Sequence, residues 1–350
     1  MVEIRRVLCP IDFSQHSRLA LDHALAIAKW YGSTVTVLHV YCTTPAAPYT
    51  RGLPSYKSIA VTRSNRERLL EETGRFIAAE APTGASIEIV LCEGDAASEI
   101  LNQANSLGAD LLVIGTHGRS GFERLVLGSV AEKVLRKARC PVLSVPRGMP
   151  DAVPATSALF TRILCPVDFS ECSLNALNHA MSLAEKANAR LTLLHVLVYG
   201  DEEAPDVYDT LISDERLDMA HFRRRREEIH RERLRDAVPE ALRARHTVDS
   251  ILTSGKPYRE ILRVAAEQGN DLIVMGVQGR GATDLMVFGS TTQHVVRQAT
   301  CPVLTLCRTS VTETHKIGPD HVLPAQGVSG PEGPRPPSLV ARDRRPGFEV

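Results

Sequence analysis

The sequence lacks any stretch approaching the ~18 consecutive apolar residues that cross a bilayer, so no membrane span is expected. It also lacks an excess of charge, because 41 Lys and Arg balance 41 Asp and Glu. No global field is left to recruit nucleic acid or an anionic membrane surface. There is no CxxC, and no His/Cys cluster has zinc spacing. The eight cysteines, Cys9, Cys42, Cys92, Cys140, Cys165, Cys172, Cys301 and Cys307, lie mostly in apolar runs, where a free thiol behaves as a small buried hydrophobe. Reduced structural thiols in a cytoplasmic protein are expected. The charged opening Met1 to Arg6 and the early Asp12 match neither a signal peptide nor a transit peptide.

What the sequence does have is a duplication. Arg6 to Ser17 (RVLCPIDFSQHS) and Arg162 to Ser173 (RILCPVDFSECS) agree at eight of twelve positions, and Asp110 to Leu143 agrees with Asp271 to Leu304 at 16 of 34. A repeat of this kind is read before any other feature. The offset grows between the two matches, which places an insertion in the second copy between Val196 and Gly255. For 350 residues this gives a domain at 1–147, a linker at 148–158, a second domain at 159–308 and a tail at 309–350. The tail is rich in Pro, Gly and charge and is expected to be disordered.

Within each copy, β-branched apolar runs alternate with amphipathic stretches. Strands are predicted at Arg6 to Asp12, Thr34 to Val40, Ser86 to Cys92, Asp110 to Gly115 and Pro141 to Val145. In the second copy they are predicted at Ile163 to Asp168, Arg190 to Val196, Thr247 to Leu252, Asp271 to Gly276 and Pro302 to Leu306. A helix over Ser17 to Tyr31 puts Leu21, Ala24, Leu25 and Ala28 on one face and stops at Gly32. Strict alternation implies βαβ crossovers and a parallel sheet covered on both faces. Ligands then belong beyond the carboxyl ends of the strands.

Those ends carry the polar residues that the copies share. Gly115-Thr-His-Gly118 is followed after nine residues by Gly128-Ser129, and Gly276-Val-Gln-Gly279 by Gly289-Ser290 at the same spacing. At ~7% glycine usage this pattern arises by chance at roughly 10⁻⁵ to 10⁻⁴ per start. Glycines allow close backbone approach to an anion and positive φ, and the helix predicted over Ser129 to Lys137 would add its N-terminus. Ser129 with Glu132, and Ser290 with Gln293, also have capping-box spacing. Asp12 and Asp168 can accept hydrogen bonds from a ribose diol or hold a turn. His39 and His195 read as structural hydrogen-bonders. His117 could reach phosphate, but Gln278 replaces it in the second copy. The run Phe222 to Asp236 interleaves acids with its arginines as a solvated helix does, and Gly255-Lys256 lacks the spacing of a P-loop.

The doubled glycine motif and the strand-one Asp resemble the universal stress protein family in its tandem, ATP-binding form. The resemblance implies two Rossmann-like domains of the adenine-nucleotide alpha-hydrolase-like kind, each a five-stranded parallel sheet in the order 3-2-1-4-5. It implies that Asp12 and Asp168 hold ribose and that Pro10, Val40, Pro166 and Val196 line an adenine pocket. Gly115, Gly118, Gly128, Ser129 and Val130 would cradle phosphates in the first copy, with His117 in reach. Gly276, Gly279, Gly289, Ser290 and Thr291 would do so in the second. Domains of this family often pair through their last strands, here Val142 to Val145 and Val303 to Leu306, as an internal pseudo-dimer or a homodimer.

The expected ligand is ATP with Mg²⁺, and the expected role is occupancy-based signalling in the stress response, without nucleic acid or membrane. There is no Walker lysine, no acid pair for two metals and no base common to both loops. A slow ATPase and a nucleotide-free scaffold remain the alternatives, and AMP or a cyclic nucleotide would share the adenine and ribose contacts.

Overall fold

The computed structural model describes residues 2–41, 63–78, 86–116, 127–147, 159–198, 219–278 and 288–306. The linker and tail predicted from composition lie outside these residues, as do Cys42 and Cys307.

The first copy builds β1 (Arg6–Ile11), α1 (Gln15–Tyr31), β2 (Thr34–Tyr41), α2 (Arg63–Ala78), β3 (Ser86–Glu93), α3 (Ala96–Leu107), β4 (Leu111–Gly115), α4 (Ser129–Lys137) and β5 (Val142–Val145). The second builds β6 (Arg162–Pro166), α5 (Glu171–Ala187), β7 (Arg190–Leu197), α6 (Met219–Asp236), a short α7 (Glu240–Arg243), β8 (Val248–Ser254), α8 (Pro257–Glu267), β9 (Leu272–Gly276), α9 (Ser290–Gln298) and β10 (Val303–Leu306). Strand bounds differ from the sequence reading by two residues or fewer. β6 ends at Pro166, and the Val167 amide still donates to the Leu194 carbonyl of β7 at 2.8 Å. α1 begins two residues earlier than predicted because Ser14 caps it, its Oγ accepting from the Ser17 amide at 3.2 Å. Ser170 caps α5 in the same way. Gly32 ends α1 in the left-handed region, and Asn188 does so for α5, the two residue types that adopt it most readily.

All ten strands form one sheet in the order β3-β2-β1-β4-β5-β10-β9-β6-β7-β8. Each half therefore has the order 3-2-1-4-5, with parallel pairing throughout. The one antiparallel pair is β5 with β10, in the register Val142↔Thr305, Leu143↔Leu304 and Ser144↔Val303. Ser144 Oγ donates to the Val303 carbonyl at 3.1 Å and Thr305 Oγ1 to the Val142 carbonyl at 3.2 Å. Arg297 of α9 reaches Glu132 of α4 at 3.3 Å.

Central strands are buried on both faces, as their continuous apolar runs require. One core cluster gathers side chains from α1, α2, α5 and α6, the other from α3, α4, α8 and α9. These are the two faces of an α/β sandwich, and each cluster runs through both halves. Cys9, Cys92, Cys140, Cys165, Cys172 and Cys301 are free thiols. Burial pushes Cys301 up to about 12 and raises Cys9 and Cys165 further, so these three remain protonated and unreactive.

Candidate functional site

The polar residues predicted at strand ends converge because β1 lies between β2 and β4, and β6 between β7 and β9. Asp12 follows β1 directly, and its Oδ1 accepts from the Ser14 amide at 3.0 Å. Asp168 repeats this, accepting from the Ser170 amide at 3.0 Å and from Ser170 Oγ at 2.6 Å. The turn role considered for both aspartates is thus present in both copies, as an Asx turn leading into the helix cap. Between each aspartate and its serine stands a phenylalanine in the left-handed region, Phe13 at φ 62° and Phe169 at φ 64°. Strain of this kind persists only where the surroundings enforce it. Here each ring is held against a histidine, Phe13 on His39 at 4.5 Å and Phe169 on His195 at 4.9 Å between centroids. Sequence reasoning passed over these phenylalanines, whose one signal was the repeated Asp-Phe-Ser.

Both histidines hold a backbone carbonyl, and His195 also lines the second-copy cleft. His39 Nδ1 lies 3.0 Å from the Ile11 carbonyl and His195 Nδ1 lies 2.6 Å from the Val167 carbonyl. A carbonyl only accepts, so Nδ1 carries the proton.

The glycine loop begins where β4 and β9 end. A Cβ on Gly115 would sit 2.9 Å from the His16 carbonyl oxygen, and one on Gly276 would sit 2.9 Å from both the Cys172 carbonyl carbon and its Cβ. Neither glycine has positive φ. Their smallness is needed because helices α1 and α5 start directly over these strand ends, so at these two positions close packing and not positive φ calls for glycine. Gly128 and Gly289 are the N-caps of α4 and α9, and their amides donate to the Thr116 and Val277 carbonyls, both at 2.8 Å. Those two N–H groups therefore close the loop on itself instead of facing outward.

Ser129 and Ser290 are the first helical residues, one position inside the cap, and no side-chain cap bond forms. The predicted capping boxes are thus absent, because the residue that would accept at the cap is a glycine. Both serines are exposed, at a helix end whose first-turn amides have no carbonyl partner inside the helix. His117, Gly118 and Gly279 lie outside the described residues.

In the second copy these parts border a cleft of about 470 Å³. Pro166, Asp168, Val196, Gly276, Gly289, Ser290 and Thr291 all line it. So do Gln278, Arg226 and His230 of α6, and Pro257 and Ile261 of α8. In the first copy, Pro10 is buried, Asp12, Val40, Gly115, Gly128 and Val130 are half-buried, and Ser129 is exposed. Beside Asp12, His16 is held below the ordinary histidine range, by burial first and by Arg147 second, against the opposing pull of Asp12.

A separate cavity of about 340 Å³ lies between the halves against core residues such as Ile27, Leu183, Leu143 and Leu304. Among the described residues, it touches none of the glycine-loop positions.

The universal stress protein family model matches residues 3–146 and 159–306. The chain belongs to the universal stress protein family. A universal stress protein of Methanocaldococcus jannaschii is 36% identical over 146 residues, covering 40% of this chain and 81% of that protein. One from Mycolicibacterium smegmatis is 25% identical over 308 residues, covering 85% of this chain and 95% of its own length. A solved universal stress protein from Archaeoglobus fulgidus superposes with a TM-score of 0.57 at 26% identity, over 87% of this chain and 98% of that one. Two universal stress protein units in tandem thus account for both halves of the sheet. Among the described residues, no helix is long and apolar enough to cross a membrane.

Proposed function

We propose that this universal stress protein binds an adenine nucleotide, ATP with Mg²⁺, beyond the strand ends of each copy, and acts in the cytoplasm through occupancy of those sites. One observation carries the reading: the second-copy cleft is lined together by Pro166, Asp168, Val196, Gly276, Gly289, Ser290 and Thr291. Residues from four separate segments share this one surface. Its volume lies within the range of about 300 to 1,000 Å³ for small-molecule sites.

In this reading the half-apolar wall of Pro166 and Val196 receives the base. The Asp168 carboxylate, fixed by its bonds from Ser170, accepts from the ribose. The amides opening α9 and the Ser290 hydroxyl receive phosphate. Pro10, Asp12, Val40, Ser129 and Val130 take these roles in the first copy, with Gly115 and Gly128 shaping the loop around the phosphates. Gly118, Gly279 and His117 complete the loops, and Mg²⁺ would neutralise phosphate charge. The last-strand seam makes the two copies an internal pair.

Calorimetric titration with Mg²⁺-ATP, AMP and cyclic AMP tests this. ATP is expected to bind once per copy, and Asp12→Asn and Asp168→Asn are each expected to remove one site. Asparagine retains an acceptor for the turn while losing the charge. Absence of heat and of thermal shift with all three nucleotides would overturn the proposal, and sustained phosphate release lost with Ser129→Ala and Ser290→Ala would convert it to an ATPase.

A further inference from the structure

The repeat brings two equivalent places to the seam, on the sheet face that α1 and α5 cover. Ile4 corresponds to Phe160 in the aligned copies, Leu19 to Asn175, His23 to His179 and Trp30 to Lys186. In one place Phe160 packs against His23 and Trp30, with ring centroids 6.1 and 6.0 Å apart. The other place has the smaller Ile4 and the flexible Lys186, whose ammonium lies 5.4 Å over the Tyr31 ring. Two large rings are lost there, and the cavity of about 340 Å³ lies in that place, lined by Ile4, Tyr31, Asn175 and His179.

The floor of the cavity is apolar, formed by the buried Ile27, Leu143, Phe160, Leu183 and Leu304. Protein interiors are close-packed and leave few voids larger than a water, and a roomy apolar cavity takes up compact apolar molecules. The charges at its rim are already engaged or face solvent. Glu3 pairs with Arg5 at 2.6 Å, Asp110 accepts from the Arg5 and Arg6 amides, both at 2.9 Å, and Arg139 is exposed. A charged ligand finds no buried counterpart in these three.

His179 sets the polar requirement. Its Nδ1 lies 3.0 Å from the Asn175 carbonyl and so carries the proton. Burial holds the ring below the ordinary histidine range, against the opposing pull of that bond, which leaves it neutral at neutral pH. Nε2, on the far side of the ring from the helix backbone, then holds a lone pair and can only accept. What it takes from a ligand is a donor.

We propose that the seam cavity is a second kind of ligand site, one per chain, for a compact uncharged molecule with an apolar or aromatic body and a single hydroxyl that donates to His179 Nε2. It lies outside the nucleotide cleft and does not depend on that reading.

The test is calorimetric titration of the full chain with 4-ethylphenol and with 4-ethyltoluene, which replaces the hydroxyl by a methyl group of similar size. Emission from Trp30, the one tryptophan of the chain and a neighbour of Phe160, follows the same binding by an independent route. 4-Ethylphenol is expected to saturate one site per chain, about three- to tenfold more tightly than 4-ethyltoluene, the scale of a neutral hydrogen bond. Saturating Mg²⁺-ATP should leave that binding in place. His179→Phe keeps a ring while removing the acceptor and should bring the two ligands level. Ile4→Phe installs the residue of the closed place and should abolish binding of both. Asn175→Leu, also the residue of the closed place, narrows the cavity from the opposite wall and decides the question if Ile4→Phe does not fold. The inference is overturned by the absence of saturable binding, by equal affinity for the two ligands, by displacement with ATP, or by binding that survives both filling substitutions.

Discussion

Gly276 has no room for a methyl group. The atoms it would meet, at 2.9 Å, include the carbonyl carbon of Cys172, which cannot rotate away as a flexible side chain could. Gly276→Ala is therefore expected to destabilise the fold by about 1 to 3 kcal/mol, the range of an overpacked core, seen as a lower thermal midpoint without any ligand. An unchanged midpoint would return the glycine to a purely ligand-facing role. Histidine burial gives a second residue-scale outcome. His23 is 1% exposed, and desolvation holds it below its ordinary value of 6.5; His179 is lowered from the same value for the same first reason. The unfolded chain then takes up protons first, so stability falls as pH drops through 6.5 and levels off below the folded-state values. Denaturant midpoints between pH 8 and pH 5, on the order of the histidine range, should show this decline, and His23→Gln should flatten it. Sequence identified Asp12 and Asp168 but not the strained Phe13 and Phe169 beside them, because phenylalanine has no propensity for the left-handed region and only tertiary contact with the histidines holds it there.

Strands are legible as elements because a parallel strand buried on both faces is a largely apolar run; β4 and the buried part of β1 are of that kind, while β2 and β5 keep the pattern around the buried polar residues Thr36, His39 and Ser144. The edge strand β3 alternates buried and half-buried residues and was still found from its β-branched content. The α4 helix matches its predicted span, Ser129–Lys137, but cap residues are less legible: the capping hydroxyl of α1 belongs to Ser14, three residues before the predicted start at Ser17, and Ser129 and Ser290 are first-turn residues behind a glycine cap instead of capping-box serines. Ser14→Ala and Ser170→Ala should each cost about 1 kcal/mol, measured by chemical denaturation, whereas Ser129→Ala and Ser290→Ala should leave stability nearly unchanged. Equal losses at all four serines would contradict the cap assignments.

At the scale of the whole molecule, the two core clusters ignore the boundary between copies, and the seam is a ladder with its own hydroxyl bonds. Thermal unfolding is therefore expected as one calorimetric transition, where two separable transitions would mean that the copies are only tethered. Thr305 is 1% exposed, and Thr305→Val keeps its shape while removing its bond to Val142, for an expected loss of about 0.5 to 1.5 kcal/mol. The α/β class and the repeat were readable from residues alone. The strand order came with the family resemblance, since four-residue runs such as Val142–Val145 do not say which neighbour they pair with.

Antiparallel pairing of β5 with β10 inside an otherwise parallel sheet has a geometric corollary. Every strand of the first copy ends on one rim of the sheet and every strand of the second ends on the opposite rim, so the two mouths open back to back. A ligand at one rim is therefore out of direct contact with a ligand at the other. The two sets of strand ends stand at opposite poles of one continuous sheet.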